Sequence, residues 1–161
     1  MIAVVISEPY GPGGPLRREE TVPAGEPREY RNSPCMRCPW RLDTDLADFS
    51  DAEMEMLRRA DGRPGAEAAI TAPTVSCHRD QPGTAHAWRL CAGWLATVGD
   101  FHFAIRIALV TESLPREALA PASDWPALYP DLDALLLARQ KHLRARAVPG
   151  RQPKGPPFDK E

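Results

Sequence analysis

The sequence has few aromatic residues, no long hydrophobic run and almost no net charge. Aromatic residues make up 7% of its 161 residues, and the formal net charge is −2. A chain so nearly neutral has no strong overall field to draw it to nucleic acid or to a membrane surface. No stretch approaches the roughly 18 apolar residues that a membrane span needs. We therefore expect no membrane span, and any nucleic-acid contact must come from a local basic patch.

The sequence also lacks the short motifs of several enzyme classes. It contains no Gly-x-Gly-x-x-Gly, no Gly-Lys-Ser/Thr loop, no Gly-x-Ser-x-Gly and no His-Glu-x-x-His. We therefore expect a non-enzymatic protein more than an enzyme. The apolar segment 1–6 suits a short strand, but it is too short for a signal peptide and no positive segment precedes it. This predicts a cytoplasmic protein.

Proline is abundant, with 18 residues, and much of it lies outside the apolar segments. This distribution predicts an irregular N-terminal segment over 1–33, a helical domain over 34–147 and a disordered tail over 148–161. Short extended pieces are expected around 28–30 and 70–76, where Thr and Val favour strands. The predicted fold class is a small, mainly α domain.

Helices are expected at four places in this domain. Ser50 and Glu53 form a capping-box pattern that opens the first helix. Thr84 and Asp100 are suitable caps for the second and third helices. The third is the most apolar stretch of the chain, so we expect it to be buried. The four predicted helices cover about 50–60, 85–98, 101–112 and 131–147.

The chain contains four cysteines, at Cys35, Cys38, Cys77 and Cys91. In a reducing cytosol, cysteines at such spacings are metal ligands more often than disulfides. A Cys-x2-Cys pair can direct two thiolates at one metal, and four thiolates complete a zinc site or hold an iron–sulfur cluster. We expect all four to converge on one metal centre that organises the fold, with Cys91 on the predicted 85–98 helix.

The metal stays open between a [4Fe-4S] cluster and zinc. Cys38-Pro39 resembles the Cys-Pro that follows the last ligand of ferredoxin-type runs, which favours the cluster. Cys77 and Cys91 are too far apart in sequence for the second pair of a zinc ribbon, although zinc remains the alternative. The side chains expected around the centre, to shield it or to hydrogen-bond its ligands, are His78, Trp40, Arg41 and Trp94.

Three sequence elements together resemble a known family. They are Pro-Cys-x-x-Cys-Pro-Trp-Arg at 34–41, Cys-His at 77–78 and Cys-Ala-Gly-Trp-Leu at 91–95. This combination resembles a family of small uncharacterised proteins from actinobacteria and their phages, over about residues 34–110. The resemblance implies that the three elements belong together, and it implies no activity. A weaker similarity links the Cys-x2-Cys-Pro to the WhiB-like iron–sulfur regulators, whose cysteine order and Gly-Val-Trp-Gly-Gly turn are absent here.

The favoured function is a [4Fe-4S] regulatory or accessory module. The alternatives are a structural zinc interaction domain and a redox enzyme that uses the cluster or the Cys35/Cys38 pair. Arg37, Arg41 and the basic run Arg139–Lys154 could contact nucleic acid or a protein partner. For the basic run, a cation-stabilised helix end with a solvated tail is the favoured interpretation. We expect a solvated loop for the acidic residues Asp43, Asp45, Asp48 and Asp51.

Overall fold

The computed structural model describes residues 27–80, 83 and 85–147. The predicted strand at 1–6, the tail from 148 and the cap at Thr84 lie outside these residues. The described part is mainly helical, as predicted, and its extended contacts are isolated bridges. Its α-helices are α1 (Asp51–Arg59), α2 (Ala92–Val98), α3 (Phe103–Val110) and α4 (Leu132–Ala147), and its 3-10 helices are Leu46–Asp48, Gly99–Phe101 and Arg116–Leu119.

Helix α1 begins at the predicted capping box. The Ser50 Oγ accepts a hydrogen bond from the Glu53 N–H at 3.2 Å, and the Glu53 carboxylate accepts one from the Ser50 N–H at 2.7 Å. Two N–H groups that no helical carbonyl could reach are thereby satisfied. Met54 and Leu57 of this helix are fully buried. The first predicted helix is confirmed.

The second predicted helix, over 85–98, is wrong in its first half. Helix α2 begins only at Ala92, and Leu90 takes part in two β-bridges. The N–H of Cys91 donates to the carbonyl of Val75 at 2.9 Å. Because these backbone groups bind distant segments, they cannot also close helical turns. Cys91 therefore caps α2 instead of lying on it.

Three extended segments meet at the fully buried Leu90. Tyr30 forms a parallel bridge with it, and Ser76 forms an antiparallel one. The predicted extended pieces are present at these two points, whereas residues 70–72 form a turn. In the antiparallel pair, the residues after Ser76 and after Leu90 lie diagonally on one face. Cys77 and Cys91 occupy those two positions.

The third predicted helix, over 101–112, is shorter and less buried than expected. Asp100 lies within a 3-10 turn, and His102 occupies the N-cap of α3 because it bridges to Ala68. Within α3, only Ile105 and one alanine are buried. The segment is therefore a half-buried surface helix whose apolar residues are partly exposed.

Helix α4 confirms the fourth prediction and packs on the 3-10 helix Leu46–Asp48. Its Leu132 and Leu135 are buried, and the Arg139 guanidinium donates to the Phe49 carbonyl at 2.8 Å. Nonlocal contacts of this kind hold a helix of which only these two leucines are buried. In the described part of the chain, no helix is long and apolar enough to cross a membrane. The largest fully buried side chains include Trp40, Trp94, Leu46, Met54, Leu57, Leu90, Leu95, Ile105, Leu114 and Leu135.

Candidate metal centre

The four cysteines are buried free thiols, and each stands at the start of a tight turn or helix. The N–H three residues after Cys35, Cys38 and Cys77 donates to that cysteine's carbonyl, at 3.0, 3.1 and 3.0 Å. Cys91 caps α2, and its carbonyl accepts the first helical hydrogen bond at 2.9 Å. The chain thus makes a tight turn after Cys35, Cys38 and Cys77 and enters a helix after Cys91.

These turns aim backbone N–H groups at the sulfur atoms. The sulfurs of Cys35, Cys38 and Cys77 each accept a hydrogen bond from the N–H two residues later. The Cys91 sulfur interacts with the N–H groups of Trp94 and of the residue before it. Hydrogen bonds from N–H groups stabilise the thiolate form of cysteine. They are also the contacts by which proteins orient and tune metal-bound thiolates.

Two of the four sulfur atoms lie in direct contact. Cys38 Sγ lies 3.7 Å from Cys91 Sγ. Cys38 and Cys77 are the neighbours that lower the pKa of Cys35 most strongly. As the side chains stand, no three His, Cys, Asp or Glu residues within the described ranges are arranged to hold a metal ion. A shared metal would therefore require these side chains to rotate.

The cysteines shift one another's pKa values in opposite directions. Hydrogen bonds from Cys38 and Cys77 lower the pKa of Cys35. Hydrogen bonding to Cys35, together with burial, raises the pKa of Cys38 and of Cys77. The bond from Cys38 lowers the pKa of Cys91. Because metal ligation displaces thiol protons, a set of four cysteine donors suits a thiophilic metal.

Gly93 allows α2 to approach closely the loop of residues 35–41, the cysteine loop. A Cβ at this position would lie 2.8 Å from Cys38 Sγ and 2.8 Å from Trp40 Cβ. Both neighbours are fully buried, so neither can move aside freely. The sequence contained this glycine in the Cys-Ala-Gly-Trp element, but only the structure reveals its packing role. Its position two residues after Cys91 was the one sequence feature that could have indicated this packing role.

Trp40, Trp94 and His78 are among the residues predicted to surround the centre. Trp40 and Trp94 are fully buried, and the Trp94 Nε1 donates to the Ala60 carbonyl at 3.1 Å. His78 stacks edge-on against Phe49, with ring centroids 5.8 Å apart. Burial lowers the pKa of His78, although the nearby Cys35 thiolate opposes that shift. The two indoles belong to the buried core that also contains the four cysteines.

Two arginines of the cysteine loop are paired with aspartates. Arg41 donates to the Cys35 carbonyl at 3.5 Å and to both Asp43 oxygens at 2.7 and 2.5 Å. The hydrogen bond to Asp43 raises the pKa of Arg41, and the nearby cysteine thiolates add to that effect. Arg37 is more exposed and lies 3.6 Å from Asp48. An anionic partner would have to compete with these carboxylates.

The basic run of the last helix is partly neutralised in the same way. Arg139 lies 2.7 Å from Asp51, and Arg146 contacts Asp45 and Asp48 at 2.5 and 2.7 Å. The acidic segment is therefore an ion-paired contact with α4 and not simply a solvated loop. Positions from 148 onward, including two further cations of the run, lie outside the described residues.

Asp80 is a structural support that sequence reasoning missed. Its side chain is 5% exposed and accepts hydrogen bonds from Arg31 at 3.0 Å and from Arg89 at 3.0 and 2.8 Å. It thereby joins the N-terminal segment and the segment before Cys91 to the turn after Cys77. Its position three residues after Cys77 was the only signal, since nothing local in the sequence indicates the arginines it would bind.

Comparisons with known proteins support a family assignment. Neither the curated proteins nor the solved structures contain a match to this chain. A protein-family model matches residues 30–151, a region that holds all four cysteines and the four α-helices of the described part. The chain therefore belongs to DUF6283, a family of unknown function.

Proposed function

We propose that this protein is a metal-binding module in which Cys35, Cys38, Cys77 and Cys91 hold one metal centre. The observation that carries the proposal is the 3.7 Å separation of Cys38 Sγ and Cys91 Sγ, contributed by residues 53 positions apart. A tetrahedral ion with metal–sulfur bonds of about 2.3 Å holds its sulfur ligands about 3.8 Å apart. The N–H donors directed at each sulfur add to this support.

The sulfur spacing favours a single ion, and zinc is the metal we propose. In a [4Fe-4S] cluster each cysteine binds a different iron, so its sulfurs lie roughly 6 Å apart. The iron–sulfur expectation is the second candidate, because Cys38-Pro39 has the form seen after ferredoxin-type ligands and in the WhiB-like regulators. Accommodating a cluster would require the buried Cys38 and Cys91 to separate.

The proposed role of the metal is structural. Four protein ligands leave no open coordination position, which is typical of structural zinc and unlike catalytic zinc. The ligands come from the cysteine loop, the segment ending at Cys77 and the start of α2, so one ion joins all three. Because the described core is small, metal-binding energy would contribute directly to folding. A cytoplasmic location suits the proposal, since thiols stay reduced there.

Such a closed site makes an interaction or accessory module a better candidate than a redox enzyme. The surface loop between Cys35 and Cys38 presents Met36 and Arg37, and Met36 is 88% exposed. A metal that fixes this loop would also fix the surface it presents to a protein or nucleic-acid partner. If the protein bound neither DNA nor RNA even at low salt, a nucleic-acid partner would be excluded.

Metal analysis of protein purified without oxygen tests the proposal. We expect one zinc per chain and a colourless protein. Iron with acid-labile sulfide and visible absorbance would establish the second candidate instead. Cys38→Ser should abolish stoichiometric metal, whereas Met36→Ser, in the same loop but exposed, should retain it. A folded, metal-free protein with four reactive thiols would refute both candidates.

A further inference from the structure

We infer that helix α4 and the cysteine loop share a binding surface for the phosphate backbone of nucleic acid, and that the acidic segment, residues 45–51, occupies this surface in the free protein. Contacts between charged side chains carry the inference, and none of them involves a cysteine sulfur. The surface is therefore independent of the metal centre, and either can be refuted without the other.

Helix α4 is basic in a chain that is nearly neutral overall. It contains Arg139, Lys141, Arg144 and Arg146, and its one acidic residue is Asp133. Four cations against one carboxylate give the helix a formal charge of +3, whereas the whole chain has −2. Clustered cations of this kind are what contact with nucleic-acid phosphates requires.

The polar residues of α4 divide between two faces. Arg139, His142 and Arg146 recur at spacings of three and four, so they share the face that lies against the acidic segment. Lys141 and Arg144 are exposed on the other side of the helix, and neither forms an ion pair with any residue that the structure describes. The acidic segment therefore neutralises one face of α4 and leaves the other cationic.

The carboxylate of Asp48 indicates where a phosphate would bind. One of its oxygens lies 2.7 Å from the Arg146 guanidinium, and the other lies 3.6 Å from that of Arg37 in the cysteine loop. Two guanidiniums from distant parts of the chain thus converge on one anionic group. Because the guanidinium fork suits phosphate as well as carboxylate, a backbone phosphate in place of Asp48 would meet the same donors.

Arg139 is positioned for a second phosphate. Its guanidinium lies 2.7 Å from Asp51, whose side chain is almost completely exposed, and it also donates to the Phe49 carbonyl at 2.8 Å. The contact with Phe49 would keep Arg139 in place if the Asp51 side chain moved away. Arg139 would then be available to an external anion without further rearrangement.

The carboxylates of the acidic segment can be displaced because their ion pairs are exposed. The side chains of Arg146, Asp45 and Asp48 are 51%, 48% and 42% exposed. Ion pairs with this exposure contribute little to stability and are screened by salt. Nucleic acid offers a row of phosphates and releases counterions when it binds, so it can compete for the same guanidiniums at low salt. Binding by the unmutated protein should therefore be weak, and removing the competing carboxylates should strengthen it.

The test is fluorescence anisotropy of a short mixed-sequence duplex DNA, titrated with the full chain over a range of salt concentrations. Asp45→Asn/Asp48→Asn removes both charges but keeps the side-chain shapes, and asparagine at position 45 can still accept the N–H of Ala47. At low salt we expect this double variant to bind at least about tenfold more tightly than the unmutated chain. The logarithmic salt dependence should steepen by about 0.9 for each of the two freed guanidiniums.

The matched control is Asp100→Asn/Glu117→Gln, which changes the net charge equally. These two residues lie on the 3-10 helices Gly99–Phe101 and Arg116–Leu119, and within the described ranges neither pairs with a cation of α4. If the Asp45/Asp48 variant were folded but bound DNA no more tightly than this control, the inference would be refuted. Adding Arg146→Ala to that variant should remove most of the gain, and an undiminished gain would also overturn the inference.

Single substitutions in the otherwise unmutated chain give a second test that does not depend on the folding of the double variant. Arg37→Ala and Arg146→Ala should each weaken DNA binding at low salt and lower the salt dependence by about 0.9. Arg58→Ala removes a comparably exposed arginine from α1 and should weaken binding less. Equal losses in all three variants, or no binding by any protein tested, would overturn the inference. None of these variants changes a cysteine, so their metal content tests the proposed function separately.

Discussion

Replacing Gly93 with alanine places a methyl group between α2 and the cysteine loop. The added carbon would lie 2.8 Å from Cys38 Sγ and from Trp40 Cβ. Ordinary carbon contacts are about 3.5 to 4.0 Å, so the neighbours must move by roughly 0.7 Å or more. Cys38 and Trp40 are both fully buried, which leaves them little room to move.

Two opposing effects determine the size of the change. Alanine is favoured over glycine in a helix by about 1 kcal/mol, so without a clash Gly93→Ala would stabilise the protein. Overpacking a well-filled core costs about 1 to 3 kcal/mol, and the upper end applies where two rigid neighbours are pressed. We therefore expect a net loss of about 2 kcal/mol in the free energy of unfolding. Metal binding should weaken too, because Cys38 is displaced.

Denaturant unfolding with far-ultraviolet detection measures this loss as a lower midpoint at an unchanged m-value. Gly99→Ala is the matched control, because its backbone is also helical and its added Cβ would approach the Leu119 side chain only to 3.0 Å, compared with 2.8 Å to two atoms at Gly93. The control should change stability by clearly less. If Gly93→Ala proved as stable as the wild type or more so, the close approach of α2 to the cysteine loop would be refuted.

Three further predictions concern residues outside the cysteine set. Asp80→Asn removes the charge that pairs with two half-exposed arginines and should cost about 2 kcal/mol of unfolding free energy, with Asp80→Glu recovering part of it. Ser50→Ala breaks the capping box with Glu53 and should cost about 1 kcal/mol, measured by thermal unfolding; a change near zero would contradict the cap. Burial lowers the pKa of His102, so the unfolded chain binds its proton more readily, and stability should fall as pH drops below about 6.5. His102→Phe should flatten that part of the pH–stability curve, and an unaltered slope would show that His102 is not responsible.

Local signals explain which parts of the fold could be predicted. Helix α1 carries its capping box in four consecutive residues, and α4 is a long run of Leu, Ala and Arg, which are good helix formers. The segment before Cys91 is alanine-rich and also suits a helix, yet its backbone pairs with Tyr30 and Ser76. Those partners are distant in sequence, so no local pattern indicates them.

The candidate site likewise has features that the sequence could suggest and features that only the folded chain could reveal. The Cys-x2-Cys spacing and the count of four led to the expectation that these residues share one centre, and the structure places two of their sulfurs, those of Cys38 and Cys91, 3.7 Å apart. The backbone turns that aim N–H groups at the sulfurs, the support from Asp80 and the packing role of Gly93 depend on contacts between segments. The 3.7 Å distance between the Cys38 and Cys91 sulfurs, on which the proposal of one ion depends, could be learned only from the folded structure.

X-ray absorption at the edge of the bound metal tests the central claim most directly. The account predicts one zinc surrounded by four sulfur atoms at about 2.3 Å, with no neighbouring metal atom. The four-sulfur environment should be lost in Cys91→Ser and retained in Met36→Ser. A spectrum with iron–iron scattering would replace the single ion with a cluster. Fewer than three sulfur ligands, or no bound metal in the folded protein, would contradict the four-cysteine centre itself.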